Sequence, residues 1–137
     1  MTALPTQSTS QTDLAALILR VSLGALFLAH AGLKIFVFTP AGTAGFFQSI
    51  GLPGPLAYLV ILLEVLGGLA LIAGYRTRTV SLVLIPVLLG AIVTVHFAAG
   101  FFFTNENGGW EYPAFWIIGL VVQSMLGDGA ASLSRRS

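Results

Sequence analysis

The sequence predicts an all-α integral membrane protein: an antiparallel bundle of four transmembrane helices, with a short interfacial segment between the first and the second. Three observations predict it. Of 137 residues, 56% are hydrophobic and 8% charged, where a soluble domain carries about 25% charged residues; the mean hydropathy is +0.94. Apolar runs fall at 14–38, 56–74, 80–103 and 113–127, each near the ~20 residues a helix needs to cross ~30 Å of hydrocarbon. The basic residues outside the runs are Arg76 and Arg78, between the second and third, and Arg135 and Arg136, after the fourth. Positive charge in alternate connections puts that face on the cytoplasmic side and both termini with it. Four segments cannot close a barrel, so helices are the way to satisfy the backbone inside lipid. The expected location is a bacterial plasma membrane, with the lipid bilayer as the first partner.

The elements follow in order. Residues 1–13 are rich in Thr, Ser and Gln and carry no Lys or Arg, unlike the basic start of a secretory signal. They read as a disordered cytoplasmic tail ahead of a membrane domain spanning 14–133. Arg20 lies near the cytoplasmic end of the first run, where its long side chain is expected to snorkel to the head groups, with Asp128 as a candidate partner. The connection 39–55 holds Pro40, Gly42 and Gly45 but has an apolar centre of Phe46, Phe47, Ile50 and Leu52. It reads as an interfacial helix over the outer mouth of the bundle or as an ordered loop. Gly74 ends the second run, Pro86 is expected to kink the third by displacing the Leu82 carbonyl, and the 105–109 stretch is a turn. The fourth run is short, so residues 130–133 extend it or the bilayer thins around it. Residues 134–137 are a second cytoplasmic tail.

Composition also excludes. A net charge of +1 gives no basic or acidic surface for nucleic acid. The absence of cysteine removes disulfides, thiol chemistry, Cys-ligated iron–sulfur clusters and covalently attached haem.

Ionisable residues inside the runs carry the functional signal. Glu64 stands in the middle of the second run, and a carboxylate at that depth needs a partner or a job. Counting ~1.5 Å per residue from the outer face puts Lys34 ~6 Å deep, His30 ~12 Å, Glu64 ~12 Å and His96 ~10 Å. Chain direction alternates, yet the polar groups converge on one level. His30 and Lys34 share a helix face; Gly67 and Gly68 follow Glu64 on a small-residue stripe of the kind that lets helices approach. Trp110, Glu111 and Tyr112 stand at the outer start of the fourth run.

Three readings of this layer are open. In one, Lys34 and Glu64 form an ion pair that specifies packing and nothing more. In another, the layer binds a quinone head group between histidines, with Phe27, Phe97, Trp110 and Trp116 as aromatic walls. In the third, His30, Glu64 and His96 ligate a non-haem metal, or two histidines ligate a haem.

The residues that carry a family likeness are Arg20 with the later His30-Ala31-Gly32-Leu33-Lys34; Gly51-Leu52-Pro53; Leu63-Glu64-Val65-Leu66-Gly67-Gly68; Thr77-Arg78; Val95-His96; Gly108-Gly109-Trp110-Glu111-Tyr112-Pro113; and Gly127-Asp128-Gly129 ahead of Ser132-Leu133. In that order the chain resembles the DoxX family of small four-helix membrane proteins, over about residues 14–133. Asp128 departs from the Gly-Pro-Gly or Gly-Ala-Gly that the family shows there. The resemblance implies a redox-linked, quinone-associated membrane subunit of an oxidoreductase system, working with a soluble or membrane redox partner, and not an autonomous catalyst. Under it, Glu64 handles the protons of a quinone, His30, Lys34 and His96 contact the ring, and Trp110 and Glu111 close the outer mouth. Two other classes remain open: a small transporter or permeation module, which assembly into a homo-oligomer would favour, and a non-catalytic membrane scaffold for a soluble oxidoreductase.

Overall fold

A computed structural model describes residues 9–134. Ser10 opens the first helix by accepting the Asp13 N–H at 3.1 Å, and Asp13 adds negative charge to the positive end of the helix dipole. Helix α1, Gln11–Gly32, therefore starts inside the stretch read as tail; residues 1–8 of that tail lie outside the described residues. It runs on through a π-helical turn, Leu33–Val37. Thr39 then caps α2, Pro40–Ser49, with its hydroxyl accepting the Gly42 N–H at 3.1 Å. The connection is thus a helix rather than an extended loop. Helix α3, Pro55–Ala73, begins with proline in its first turn, where the missing N–H costs nothing. It ends on Gly74, with the N–H groups of Gly74 and Tyr75 both returning to the Ala70 carbonyl. Helix α4, Thr77–Ala91, passes through Pro86 and also closes on a π-helical turn, Ile92–His96. Helix α5 is Glu111–Leu126.

The protein is an all-α membrane protein, and α1, α3, α4 and α5 form the bundle. α1 packs on α3, α3 on α4, α4 on α5 and α5 back on α1, while α2 lies against α3. Gln11–Val37, Pro55–Ala73 and Thr77–His96 are each long and apolar enough to cross a membrane. Glu111–Leu126 is a shorter apolar helix of 16 residues, ~24 Å long. Exposed Ile18, Phe36, Val93, Phe115 and Met125 coat the outside, as lipid contact requires.

One boundary differs from the sequence reading. The third span was expected to continue to residue 103, but its helix stops at His96. Gly100 takes a φ of +91°, and the segment beyond folds back on itself. Gly109 donates to the Phe102 carbonyl, Trp110 to Gly100 and Glu111 to Phe101. Phe101, Phe102 and Phe103 are apolar enough to read as helix but stand in this fold-back. His96 is therefore the last residue of its helix rather than one well inside it.

Two features hold the helices. Where α1 meets α3, a Cβ on Gly24 would stand 2.6 Å from the Gly68 carbonyl oxygen, and one on Gly68 3.0 Å from that of Gly24. Only glycine permits that approach. The apolar core beside this contact is Leu23, Phe27, Leu71, Leu84, Leu88, Trp116 and Leu120.

The second feature corrects the reading of Arg20. Its side chain is fully buried and turned into the protein. Nη1 donates to the carbonyls of Leu71 and Ile72 at 3.0 and 2.7 Å, Nε to Asp128 at 3.0 Å, and Nη2 to Ala130 and Ala131 at 2.7 and 3.3 Å. Asp128 contributes its backbone oxygen, while its carboxylate accepts the Thr77 N–H at 3.2 Å. The guanidinium thus sews the segment 127–134 under the bundle. Leu133 and Ser134 complete the seam by donating to Ala73 and Gly74. This end of the bundle, the terminal end, carries Ser10, Arg76, Arg78 and Ser134; Arg135 and Arg136 lie outside the described residues.

Candidate functional site

At the opposite end the four bundle helices and α2 line a cavity of about 880 Å³. Its walls include His30, Lys34, Glu64 and His96, so the polar layer expected from depth alone shares one space. The two π-helical turns lie here, and Lys34 and His96 stand on them. A π turn adds a residue to a helical turn and re-aims the side chains beyond it, a device common at functional sites.

Glu64, on α3, is 3% exposed. Its Oε1 accepts from Lys34 Nζ at 2.7 Å, which settles the partner question for one oxygen. Its Oε2 is buried with no hydrogen-bond partner. Trp116, on α5, is in the same condition: its ring is packed 4.5 Å from Phe27 and 4.9 Å from His30, centroid to centroid, while its indole Nε1 is buried with no acceptor. Both residues line the cavity. Two residues that line one space thus each hold a buried polar atom that is costly to leave alone.

His96 is held by its own loop. The Gly108 carbonyl stands 2.7 Å from Nδ1; a carbonyl only accepts, so Nδ1 carries a hydrogen and, in the neutral ring, Nε2 is the acceptor. The Tyr112 hydroxyl stands beside the ring, 3.3 Å from Nε2 and 3.5 Å from Nδ1. Tyr112 also lines the cavity and packs edge-on to the His96 ring at 5.2 Å. On α2, the hydroxyl of the buried Thr43 shares its one hydrogen between the Thr39 carbonyl at 2.9 Å and the Lys34 carbonyl at 3.2 Å, holding the roof to the turn that bears Lys34.

Several expected site residues stand elsewhere. Trp110 and Glu111 do not line the cavity. Trp110 stacks edge-on against Phe101 at 4.8 Å, and Glu111 opens α5. Phe97 is 70% exposed and forms no wall. Their place at the mouth is taken by Asn107, Tyr112 and Pro113. The fold-back after Gly100 is the cause, because it turns residues 97–111 away from the straight helix the sequence suggested. His30, Glu64 and His96 border one cavity but turn to different partners, and among the described residues no three His, Cys, Asp or Glu side chains gather so as to hold a metal ion. The two residues that sequence reasoning undervalued are Tyr112 and Trp116. Each was visible only as an aromatic near the right depth; their polar atoms acquire meaning from neighbours on other helices.

Comparison with known proteins places these residues in a family context. The DoxX family model matches residues 15–97, which include Arg20, His30, Lys34, Glu64 and His96. The chain is 40% identical over 89 residues to "Putative oxidoreductase CatD" of Bacillus subtilis (strain 168), a match covering 65% of this chain and 65% of that protein. It is 40% identical over 70 residues to "Inner membrane protein YqjF" of Escherichia coli (strain K12), covering 51% of this chain and 52% of that one. The matches thus span less than two thirds of either relative. No solved structure matches the chain.

Proposed function

We propose, for a chain that belongs to the DoxX family and is a bacterial membrane protein, that the cavity is the quinone site of a membrane oxidoreductase subunit. The observation that carries the reading is that two residues lining one cavity, Glu64 and Trp116, each hold a buried polar atom without a hydrogen-bond partner, Oε2 and Nε1. A quinone oxygen accepts hydrogen bonds and a quinol hydroxyl both donates and accepts. The donor set of the site fits that chemistry: Trp116 N–H offers a bond to either form, and Glu64 Oε2 accepts from a quinol hydroxyl. The name of the Bacillus relative, "Putative oxidoreductase CatD", agrees with a redox setting.

A bound quinone would supply a two-electron, two-proton couple. The chain supplies the rest. Lys34 holds Glu64 in place through Oε1 and leaves Oε2 to take up or release a proton, the role a titratable group within hydrogen-bond reach performs. Phe27 and Trp116, packed at a tilt of 48°, give an aromatic wall that keeps water from the ring. Tyr112 and His96 form a hydrogen-bonded couple at the rim, suited to relay a proton toward the loop end. The electrons come from or go to a partner protein. Against a permeation pathway stands the apolar core of Leu23, Leu71, Leu84 and Leu120, which separates the cavity from the terminal end, where the Arg20 clasp lies.

Trp116→Phe tests this reading. Phe keeps the aromatic wall and loses only the N–H, so quinone and quinol affinities are both expected to fall about tenfold, one hydrogen bond's worth, with the melting temperature little changed. Calorimetric titration of the purified protein in lipid nanodiscs reads both. Equal affinities in wild type and variant would remove the quinone site and leave the scaffold reading.

A further inference from the structure

The cavity extends well beyond its polar end. At about 880 Å³ it lies near the top of the ~300–1,000 Å³ usual for small-molecule sites, and most of its wall is apolar. We infer that it takes its ligand sideways from the bilayer, through a gap between α3 and α4 bordered by Leu59, Pro86 and Gly90, and that the ligand is a quinone whose hydrocarbon tail lies in this gap. The inference rests on the quinone reading and adds the route and the tail.

Four observations support it. Leu59, Pro86 and Gly90 line the cavity and are exposed, as residues at an opening between these helices would be. The seam between α3 and α4 is tight further toward the terminal end, where a Cβ on Gly67 would stand 2.8 Å from Leu84 Cδ2. At Gly90 it is open: a Cβ there would meet nothing within 4 Å. The third observation is depth. Gly90 and Pro86 lie ~9 and ~15 Å along the helix from His96, in the direction of the bilayer interior and not of the surface. The fourth is the roof. Thr43, only 4% exposed, is bonded down onto the first π turn, and Phe46 and Phe47 line the cavity beside it. A polar ring would therefore pass between α3 and α4 to reach Glu64 and Trp116, and leave its tail among apolar side chains at a level where the surroundings are hydrocarbon. An untailed, water-soluble ligand would have no use for an opening there.

The test uses a dimethoxy-methyl-benzoquinone without a tail and the same ring carrying a decyl chain, titrated calorimetrically into the full chain in nanodiscs. The variants are Gly90→Trp, Leu59→Trp from the opposite wall, and Trp116→Phe. Wild type is expected to bind the tailed ring more tightly than the bare one. Gly90→Trp and Leu59→Trp should weaken the tailed ring at least about tenfold, which loss of two buried methylenes already produces, and leave the bare ring within about twofold of its wild-type affinity. Trp116→Phe should weaken both rings alike. Unchanged binding of the tailed ring in both gap variants would overturn the lateral route. Equal affinity of wild type for the two rings, or equal competition against the tailed ring by a decyl phosphocholine, would overturn the tail assignment. Failure of wild type to bind either ring would instead overturn the quinone reading itself.

Discussion

Arg20→Met is expected to lower the stability of the bundle by about 3–5 kcal/mol, because several buried carbonyls lose a charged donor at about 1–3 kcal/mol each. Met keeps much of the aliphatic length and removes every donor. Five carbonyls then lose their partner: those of Leu71 and Ile72 at the end of α3, and those of Asp128, Ala130 and Ala131 in the closing segment. The carbonyls lie on two sides of the guanidinium, a fork geometry that a single ammonium cannot reproduce, so Arg20→Lys should recover only part of the loss. The closing segment should also come loose. The protein contains no cysteine, so a Ser132→Cys background gives one thiol at a position that is 1% exposed. Thermal denaturation reads the stability, and the rate of maleimide labelling reads the segment. A melting temperature and labelling rate unchanged by Arg20→Met would show that the clasp contributes nothing.

The second large effect concerns the ion pair. Lys34→Met is expected to cost about 3 kcal/mol, because it leaves the carboxylate of Glu64 buried without its cation; the value sits at the low end because Lys34 retains 22% exposure. Glu64→Gln should cost about 1 kcal/mol or less, since the amide oxygen can still accept from Lys34 Nζ and the shape is kept. The double variant should stand closer to wild type than Lys34→Met alone. Ligand affinity should follow a different order. Glu64→Gln exchanges an acceptor-only oxygen for a group that can present N–H, so quinol affinity should fall about tenfold with the fold intact. Denaturation and quinol titration on the same proteins separate the two roles. If Glu64→Gln unfolds the protein as readily as Lys34→Met and leaves quinol affinity untouched, Glu64 is a packing residue only.

The membrane fold and the polar layer were legible because both depend on hydropathy and helical rise, which are local. Counting along two helices puts Lys34 and Glu64 in the same half of the bundle, ~6 Å apart in depth, a gap that the long lysine side chain spans to form the ion pair at 2.7 Å. The end of α4 was not legible. Phe101, Phe102 and Phe103 carry the hydropathy of a span, and what takes them out of it is a set of backbone bonds to Gly109, Trp110 and Glu111 that no window of sequence contains. The same fold-back removes Trp110 and Glu111 from the cavity and puts Tyr112 beside His96. Arg20 was misread for a related reason. Snorkelling assumes that an arginine near a span end has only head groups to meet, whereas its acceptors here come from residues 51 to 111 positions away. The π turns under Lys34 and His96 had no sequence signal that separates them from ordinary helix.

The most direct measurement is fluorescence quenching of Trp116 by quinone. The chain has two tryptophans, and Trp110, packed on Phe101 outside the cavity, is replaced by Phe so that only Trp116 reports. With the protein in nanodiscs, a tailed quinone is expected to quench Trp116 saturably, with the curve displaced by an excess of non-quenching quinol analogue. In the reciprocal Trp116→Phe variant, where Trp110 remains, quenching should rise linearly with the quinone dissolved in the lipid. Linear quenching of both tryptophans to the same extent would mean that quinone only partitions around the bundle, and would contradict the assignment of the cavity.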